Sequence, residues 1–233
     1  AGTYNEDKLT ISSDGTLIEG ERRGAVIINS NESSGSPDAR AVEINANGVT
    51  LKNLKIVGHD TDGNLDTYYL IYISGGHNGI EILNCDFEKP QGCVLYGNGS
   101  QVQMRNCIID ATAKTISLEH LISNIAGGSG KSGSVISGCQ FLLQTVNDDI
   151  MGVFSEITGV IEGCSITGRR ITGYLGNCGS MNGCWIRAKN QYWGSGFYSN
   201  NRFDNNGMDP GTGASDFMVE IQGVGRWKSN YFY

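Results

Sequence analysis

The stretch ILNCDF, residues 82–87, is one copy of a six-residue phrase that recurs eight times along the chain. Other copies are LKNLKI at 51–56, MRNCII at 104–109 and ISGCQF at 136–141. Every copy begins and ends on an apolar or aromatic residue, and its third position holds Asn, Gly or Ser. The last residues of the eight copies are Ile56, Phe87, Ile109, Phe141, Ile166, Ile186, Phe203 and Phe232.

The third position of the phrase predicts a bend between two short strands, because Asn and Gly most readily adopt a left-handed backbone conformation. The terminal residues are 31, 22, 32, 25, 20, 17 and 29 residues apart, which excludes a helical repeat of fixed length. A constant phrase separated by loops of variable length is typical of a wound coil. We therefore predict an all-β, right-handed parallel β-helix of about 8–10 coils. The repeat predicts a single domain over residues 1–233.

Five of the seven cysteines occupy the fourth position of the phrase: Cys85, Cys107, Cys139, Cys164 and Cys184. We predict that they face the interior, whereas residues in the fifth position, such as Trp185, face outward. Parallel side-chain vectors on neighbouring coils disfavour disulfide geometry, so we expect free thiols packed as small apolar groups. A column spreads its sulfurs along an axis, which argues against a zinc site. Unpaired buried cysteines are typical of folding in a reducing compartment.

Composition excludes several functional classes. The net charge is −7, and the Lys and Arg residues are scattered, which argues against a nucleic-acid partner. No apolar run is long enough to cross a membrane and no signal peptide is visible, so no membrane insertion is predicted. Gly is frequent, at 34 residues, and Pro is rare, at 3, which fits many corners and few rigid turns.

Polar insertions at 29–40, 59–68, 124–133 and 204–216 are predicted to be loops that leave the coil. The second insertion contains Asp60, Asp62 and Asp66, which we interpret as part of a solvated turn. An alternative interpretation is a calcium loop, since D-x-D-G-N resembles one without the closing Glu of an EF-hand. No other cofactor or metal is predicted.

The N-terminal segments AGTY (1–4), LTI (9–11), GTLIEGE (15–21) and AVI (25–27) carry a family resemblance. Together they resemble the opening of the pectate-lyase-type β-helix domains of bacteriophage tail spikes and bacterial polysaccharide lyases. Glu19 departs from the family phrase, which usually has Gly there, and the strand before Ala1 is missing. We therefore expect the chain to be a fragment of a longer protein. The resemblance implies a bacterial surface polysaccharide as partner, a homotrimer, and a location in the phage virion, or secreted or on the cell surface if bacterial.

Candidate catalytic residues are Asp148, Asp149, Arg169 and Arg170. Glycosidic hydrolysis requires two carboxyl groups, one as acid and the other as base or nucleophile. The order resembles polygalacturonase-type β-helix enzymes, in which a doubled aspartate precedes a Gly-His-Gly phrase by about one coil. This chain has Gly168-Arg169-Arg170 at that place, without the histidine. The arginines are interpreted as neutralising a uronate or, as the resemblance to β-helix lyases implies, as supplying a base. Surface Asp and Arg pairs without catalysis are the alternative.

Candidate carbohydrate-binding residues are Tyr68, Tyr192 and Trp193, because exposed rings stack on the C–H faces of sugars. The same rings are typical anchors of a subunit interface, and both interpretations stay open. Strict alternation places Tyr68 and Tyr72 on one face of their strand and Tyr69 on the other.

Two functional hypotheses follow. The first is a glycan-active domain that binds and depolymerises a bacterial surface polysaccharide by lyase or hydrolase chemistry. The second is a non-catalytic β-helix that serves as a receptor-binding shaft or adhesin. One fold hosts both classes, so the fold alone does not separate them.

Overall fold

The computed structural model describes residues 1–31, 39–59, 69–90, 92–97, 101–112, 120–123, 133–143, 150–175, 179–188, 190–204, 219–221 and 225–233. Within these ranges the side chains of Ile150 and Asn190 are not described. The predicted loop 124–133 lies almost wholly outside this part of the chain, and so do Asp60, Asp62 and Asp66.

The described residues form 28 short strands. The first fourteen are β1 (Gly2–Glu6), β2 (Leu9–Ile11), β3 (Leu17–Glu19), β4 (Val26–Ser30), β5 (Arg40–Ile44), β6 (Thr50–Lys52), β7 (Leu54–Val57), β8 (Tyr69–Ile73), β9 (Glu81–Leu83), β10 (Asp86–Glu88), β11 (Cys93–Gly97), β12 (Gln103–Arg105), β13 (Ile108–Ala111) and β14 (His120–Ser123). The others are β15 (Val135–Ser137), β16 (Gln140–Leu143), β17 (Ile150–Ser155), β18 (Val160–Glu162), β19 (Ser165–Thr167), β20 (Arg170–Gly173), β21 (Ser180–Asn182), β22 (Trp185–Arg187), β23 (Asn190–Trp193), β24 (Gly196–Ser199), β25 (Arg202–Asp204), β26 (Val219–Ile221), β27 (Gly225–Lys228) and β28 (Tyr231–Phe232).

The strands build three parallel sheets, and each coil of the chain contributes one strand to each of them in turn. Sheet A has ten strands in the order β1-β4-β7-β10-β13-β16-β19-β22-β25-β28. Sheet B has nine strands, β2-β5-β8-β11-β14-β17-β20-β23-β26, and sheet C has nine, β3-β6-β9-β12-β15-β18-β21-β24-β27. This is a right-handed parallel β-helix, so the predicted fold class is confirmed. The described part of the chain contains no helix that could cross a membrane.

The corner between sheet C and sheet A is formed by the third position of the phrase. All eight residues there have positive φ: Asn53 (59°), Asn84 (53°), Asn106 (54°), Gly138 (60°), Gly163 (58°), Gly183 (62°), Asn200 (54°) and Ser229 (52°). The left-handed bend predicted from residue type is therefore confirmed.

The core is a set of axial columns of like side chains. Ile56 pairs with Phe87, and Phe87 with Ile109, each on the strand of the next coil, and all three are fully buried. The last copy of the phrase differs, because Phe232 is 48% exposed on the final coil. Its neighbours continue the stacking, with the Tyr198 and Trp227 ring centroids 4.3 Å apart.

The cysteine column is buried, and the six described cysteines are free thiols, as predicted. Each thiol of the column reaches back to a carbonyl on the preceding coil. Cys85 Sγ lies 3.6 Å from the Leu51 carbonyl oxygen, and Cys107 Sγ lies 3.6 Å from that of Ile82. In the last two copies asparagine replaces cysteine and keeps the role: Asn201 Nδ2 donates to the Met181 carbonyl at 3.0 Å.

Candidate functional site

The longest segments between strands of this chain begin or end at strands of sheet B. Segments 31–39, 58–68 and 205–218 lead from sheet A strands into sheet B strands, and segment 124–134 leads from sheet B to sheet C. These four segments overlap the four predicted insertions, most of whose residues lie outside the described part of the chain. The corner from sheet C to sheet A is much shorter, with only Asn53 between β6 and β7. All four long segments connect to strands of sheet B, so the described residues of this sheet are the first place to look for a site.

Three tyrosines cluster on the outer face of sheet B near the N-terminal end. Tyr69 and Tyr96 have ring centroids 4.8 Å apart, and Tyr72 lies 5.5 Å from Tyr69 and 5.7 Å from Tyr96. The prediction that Tyr69 and Tyr72 point to opposite faces is wrong, because their rings are in contact. Leu70 and Ile71 are both buried, so strict alternation breaks between Tyr69 and Tyr72.

Charged residues hold one of these rings in place. The Arg40 guanidinium lies over the Tyr72 ring, with Cζ 3.7 Å from the centroid. Arg40 Nη1 donates to Glu43 Oε1 at 2.6 Å, and Lys8 Nζ lies 2.8 Å from Glu43 Oε2. Burial alone raises the pKa of Glu43, but the hydrogen bond from Lys8 and the charge of Arg40 outweigh burial and lower the pKa. Glu43 is thus an ionised anchor that fixes Arg40 over the aromatic face.

Two predicted site residues meet further along the same face. Arg170 Nη2 donates to the Tyr192 hydroxyl oxygen at 3.2 Å, and both side chains are half-buried on sheet B. Arg169 is the residue immediately before β20. The strand of Tyr192, β23, lies four strand intervals beyond β11, which carries Tyr96. At about 4.8 Å per interval, Tyr192 lies roughly 19 Å from Tyr96 along the axis.

Trp193 is not part of an exposed face, so this prediction is wrong. Its indole is completely buried and packs edge-on against Tyr198 and Phe203, with centroid distances of 5.8 and 5.9 Å. The indole can point inward because Gly173, on the preceding coil, is the residue that pairs with Trp193. A Cβ at Gly173 would overlap the indole, so the missing side chain provides the space that the ring fills.

The remaining predicted site residues, Tyr68, Asp148 and Asp149, lie outside the described residues. Ile150, which follows Asp149 in the sequence, pairs with Arg170 in sheet B. Among the described residues there is no group of three or more His, Cys, Asp or Glu side chains arranged to hold a metal ion.

A polar depression of about 270 Å³ lies over strands of sheet C. It is lined by Glu81, Gln101, Gln103, Gly79 and Gly133. The carboxylate there can accept hydrogen bonds, and the two carboxamides can donate and accept them. The sequence did not single out any of these residues, and the depression is on a different sheet from Arg170 and Tyr192.

A second group that sequence reasoning missed surrounds Trp185 on sheet A. Trp185 is 41% exposed, so its predicted outward orientation is confirmed. The phrase itself contains the missing signal, because Arg202 and Tyr231 occupy the same fifth position in the next two copies. Aligning the copies therefore places the three side chains in one outward column.

A scan against models of known protein families found no match to this chain, and a search of curated proteins found none either. The function proposed for this chain therefore depends on its fold, on the contacts of its own residues and on the resemblance of its N-terminal segments.

Proposed function

We propose that this β-helix recognises a bacterial surface polysaccharide that lies along the outer face of sheet B. The observation that carries the proposal is the cluster of Tyr69, Tyr72 and Tyr96, with Arg40 held over Tyr72. Aromatic faces stack on the C–H faces of sugars, and guanidinium and phenol groups bind their hydroxyls. The pectate-lyase-like domains of phage tail spikes, which the N-terminal segments resemble, support the same ligand class and a homotrimeric phage or cell-surface protein.

The spacing of the clusters favours an extended ligand over a single sugar. Tyr96 and Tyr192, the partner of Arg170, are on the same sheet, roughly 19 Å apart along the axis. A chain molecule parallel to the axis contacts both clusters, whereas a monosaccharide contacts only one. We therefore expect affinity to increase with oligosaccharide length until both clusters are occupied.

The test is calorimetric titration of the protein with size-fractionated fragments of bacterial capsular polysaccharides. Tyr72→Ala and Tyr96→Ala should each weaken binding about tenfold, the typical loss for an aromatic anchor. Tyr72→Phe should retain most of the affinity, because the ring remains. Tyr4→Ala is the matched control, since Tyr4 is 54% exposed on sheet A. Equal losses for Tyr4→Ala and Tyr72→Ala would contradict the proposal.

Depolymerisation of the same polysaccharide is the second candidate function. The observation that favours it is the pairing of Ile150 with Arg170, because Ile150 directly follows Asp149 and Arg170 directly follows Arg169. Asp148 and Asp149 are then the candidate acid and base, with the arginines neutralising a uronate or supplying the base. Hydrolysis releases new reducing ends, and β-elimination gives an unsaturated product that absorbs in the ultraviolet. Asp148→Asn with Asp149→Asn should abolish either signal without loss of binding, and surviving activity would exclude this assignment.

A further inference from the structure

We propose that the polar depression on sheet C binds a small primary amine that carries hydroxyl groups, through Glu81, Gln101 and Gln103. The five residues that line the depression include no aromatic ring, unlike the tyrosine cluster on sheet B. The volume of about 270 Å³ lies just below the roughly 300–1,000 Å³ of sites that enclose drug-sized ligands. The depression therefore suits a small molecule, and this inference does not depend on the polysaccharide recognition proposed above.

The backbone places the three polar side chains next to one another. Glu81 pairs with Gln103 on the neighbouring strands β9 and β12, whose spacing is about 4.8 Å. Gln101 lies two residues before β12, at the position that Gly79 occupies before β9 and Gly133 occupies before β15. Gln101 is thus flanked by a glycine on the preceding coil and on the following coil, and it is the only one of the three with a side chain.

Gln101 has a backbone conformation that suits glycine better than glutamine. Its φ is 55°, close to the 64° of Gly48 and the 70° of Gly79 at the same position of the two preceding coils. A residue with a Cβ is strained in this left-handed conformation, and such strain is often found at functional sites. The exposed Gln101 side chain makes no hydrogen bond to any described residue. Contacts within the described fold therefore do not account for a glutamine at this corner.

Several hydrogen-bonding groups in the depression remain available to a ligand. Glu81 Oε2 accepts from the Thr50 hydroxyl at 3.4 Å, and Glu81 forms no ion pair with another residue of the described ranges. Gln103 Oε1 accepts from Arg105 Nη2 at 2.9 Å, so the amide N–H groups of Gln103 are left to donate. The Gln101 carboxamide offers both donors and an acceptor.

These groups favour an ammonium group over a neutral or an anionic group. An ammonium has three N–H donors, and the Glu81 carboxylate and the Gln101 carbonyl oxygen are acceptors for two of them. A charge-assisted hydrogen bond is roughly twice as strong as a neutral one, so an ammonium gains more from Glu81 than a hydroxyl does. The amide N–H groups of Gln103 need an oxygen acceptor, which a hydroxyl beside the ammonium supplies. A ligand carboxylate would instead be repelled by Glu81.

The experiment uses three probes of similar size and shape. Glucosamine carries the ammonium and the hydroxyls, glucose has a hydroxyl in place of the ammonium, and N-acetylglucosamine has a neutral amide there. Dissociation constants are measured by ligand-observed NMR at pH about 6, where the amine of glucosamine is protonated. We expect glucosamine to bind at least about tenfold more tightly than either neutral probe.

Glu81→Gln keeps the size of the side chain and removes its charge. This variant should weaken glucosamine binding about tenfold and leave the binding of glucose unchanged. Glu162→Gln is the matched control, because Glu162 is exposed on the same sheet, three strand intervals from β9. Equal affinity for glucosamine and glucose, no saturable glucosamine binding, or equal effects of Glu81→Gln and Glu162→Gln would overturn the inference. Loss of binding in Tyr72→Ala but not in Glu81→Gln would place the amine on sheet B and would also overturn it.

Gln101→Gly separates a role in binding from a role in folding. The substitution removes the carboxamide and relieves the strained backbone, so glucosamine binding should weaken at least about threefold while the denaturant midpoint stays equal or rises. Circular dichroism during denaturation gives the midpoint. A lower midpoint with unchanged glucosamine binding would show that Gln101 supports the fold instead of a ligand, and would overturn its place in the site.

Discussion

A residue with a Cβ pays about 1–2 kcal/mol to adopt the left-handed conformation, whereas Gly adopts it freely and Asn tolerates it. Gly163 isolates this backbone effect, because its φ is 58° and a Cβ there would meet no atom within 4 Å. A substitution of Gly163 therefore causes no steric clash, and its effect on stability reports the backbone conformation.

We predict that Gly163→Ala lowers the free energy of unfolding by about 1 kcal/mol, although alanine also restricts the unfolded chain. Gly163→Asn should stay close to the wild type, because Asn84 and Asn106 have the same conformation at equivalent corners. Denaturant unfolding monitored by circular dichroism measures the unfolding free energy of both variants. An alanine variant as stable as the asparagine variant would show that the corner does not depend on the left-handed conformation.

Residue type also marks a second corner that the sequence analysis missed. Gly15, Gly48 and Gly79 have φ values of 71°, 64° and 70° just before strands of sheet C. Each follows Asp or Asn, and Gly48 and Gly79 stand five residues before the corner residues Asn53 and Asn84. The Asn47 amide donates to Asp14 Oδ1 at 2.8 Å, so the side chains link the coils. An Asx-Gly pair at fixed distance from the phrase was the available signal.

At the scale of the element, the inward or outward direction of a ring depends on its neighbours on adjacent coils. The phrase predicted Trp185 correctly, since its position repeats. Trp193 and Tyr69 lie outside the phrase; Trp193 was wrongly predicted to be exposed, and Tyr69 was wrongly placed on the opposite face from Tyr72. Gly173 opens the interior for Trp193, and consecutive burial of Leu70 and Ile71 turns Tyr69 outward. Neither effect is visible until the register between coils is known.

The Gly173–Trp193 pair predicts a strong energetic coupling. Trp193→Leu should leave a cavity and destabilise the protein by about 3 kcal/mol, and Gly173→Val should destabilise it by about 1–3 kcal/mol through overpacking. The double variant should lose less unfolding free energy than the two single variants lose together, because valine fills the space that the indole leaves. Chemical denaturation of all four proteins measures the coupling, which should be about 0.5–3 kcal/mol.

The matched control combines Gly173→Val with Phe87→Leu, a buried substitution on a strand of another sheet. Those two effects should add within about 0.5 kcal/mol, because residues without shared contacts behave independently. Additive losses for Gly173→Val and Trp193→Leu would show that the two positions do not share one cavity.

At the scale of the whole molecule, the β-helix is a rod. Sheet A contains ten strands, and nine intervals of about 4.8 Å give a length of roughly 43 Å. This architecture could be predicted from the sequence because the same six-residue phrase recurs eight times along the chain. The candidate sites were less predictable, because they combine outward residues from neighbouring coils that are distant in sequence, such as Tyr72 with Tyr96 and Trp185 with Arg202.

The thiol column extends over five of these coils and links global stability to pH. Burial, followed by hydrogen bonds with the thiols of Cys139 and Cys85, raises the pKa of Cys107 well above its usual value. In the unfolded chain the Cys107 thiol ionises near its ordinary pKa of about 8.5. Above that pH the unfolded chain therefore loses a proton that the folded protein keeps.

A raised pKa in the folded state gives stability that is complete below the unfolded pKa and decreases as the pH rises above it. The unfolding free energy of the wild type minus that of Cys107→Ala should thus be constant below pH about 8 and then decrease by about 1.4 kcal/mol per pH unit. The lost packing of the sulfur is independent of pH, so the slope reports ionisation in the thiol column, including that of Cys85 and Cys139, whose pKa values the hydrogen bonds with Cys107 lower. Urea unfolding of both proteins between pH 7 and 10.5 measures it. A difference that stays constant or grows over that interval would mean that the Cys107 thiol ionises as easily in the core as in water.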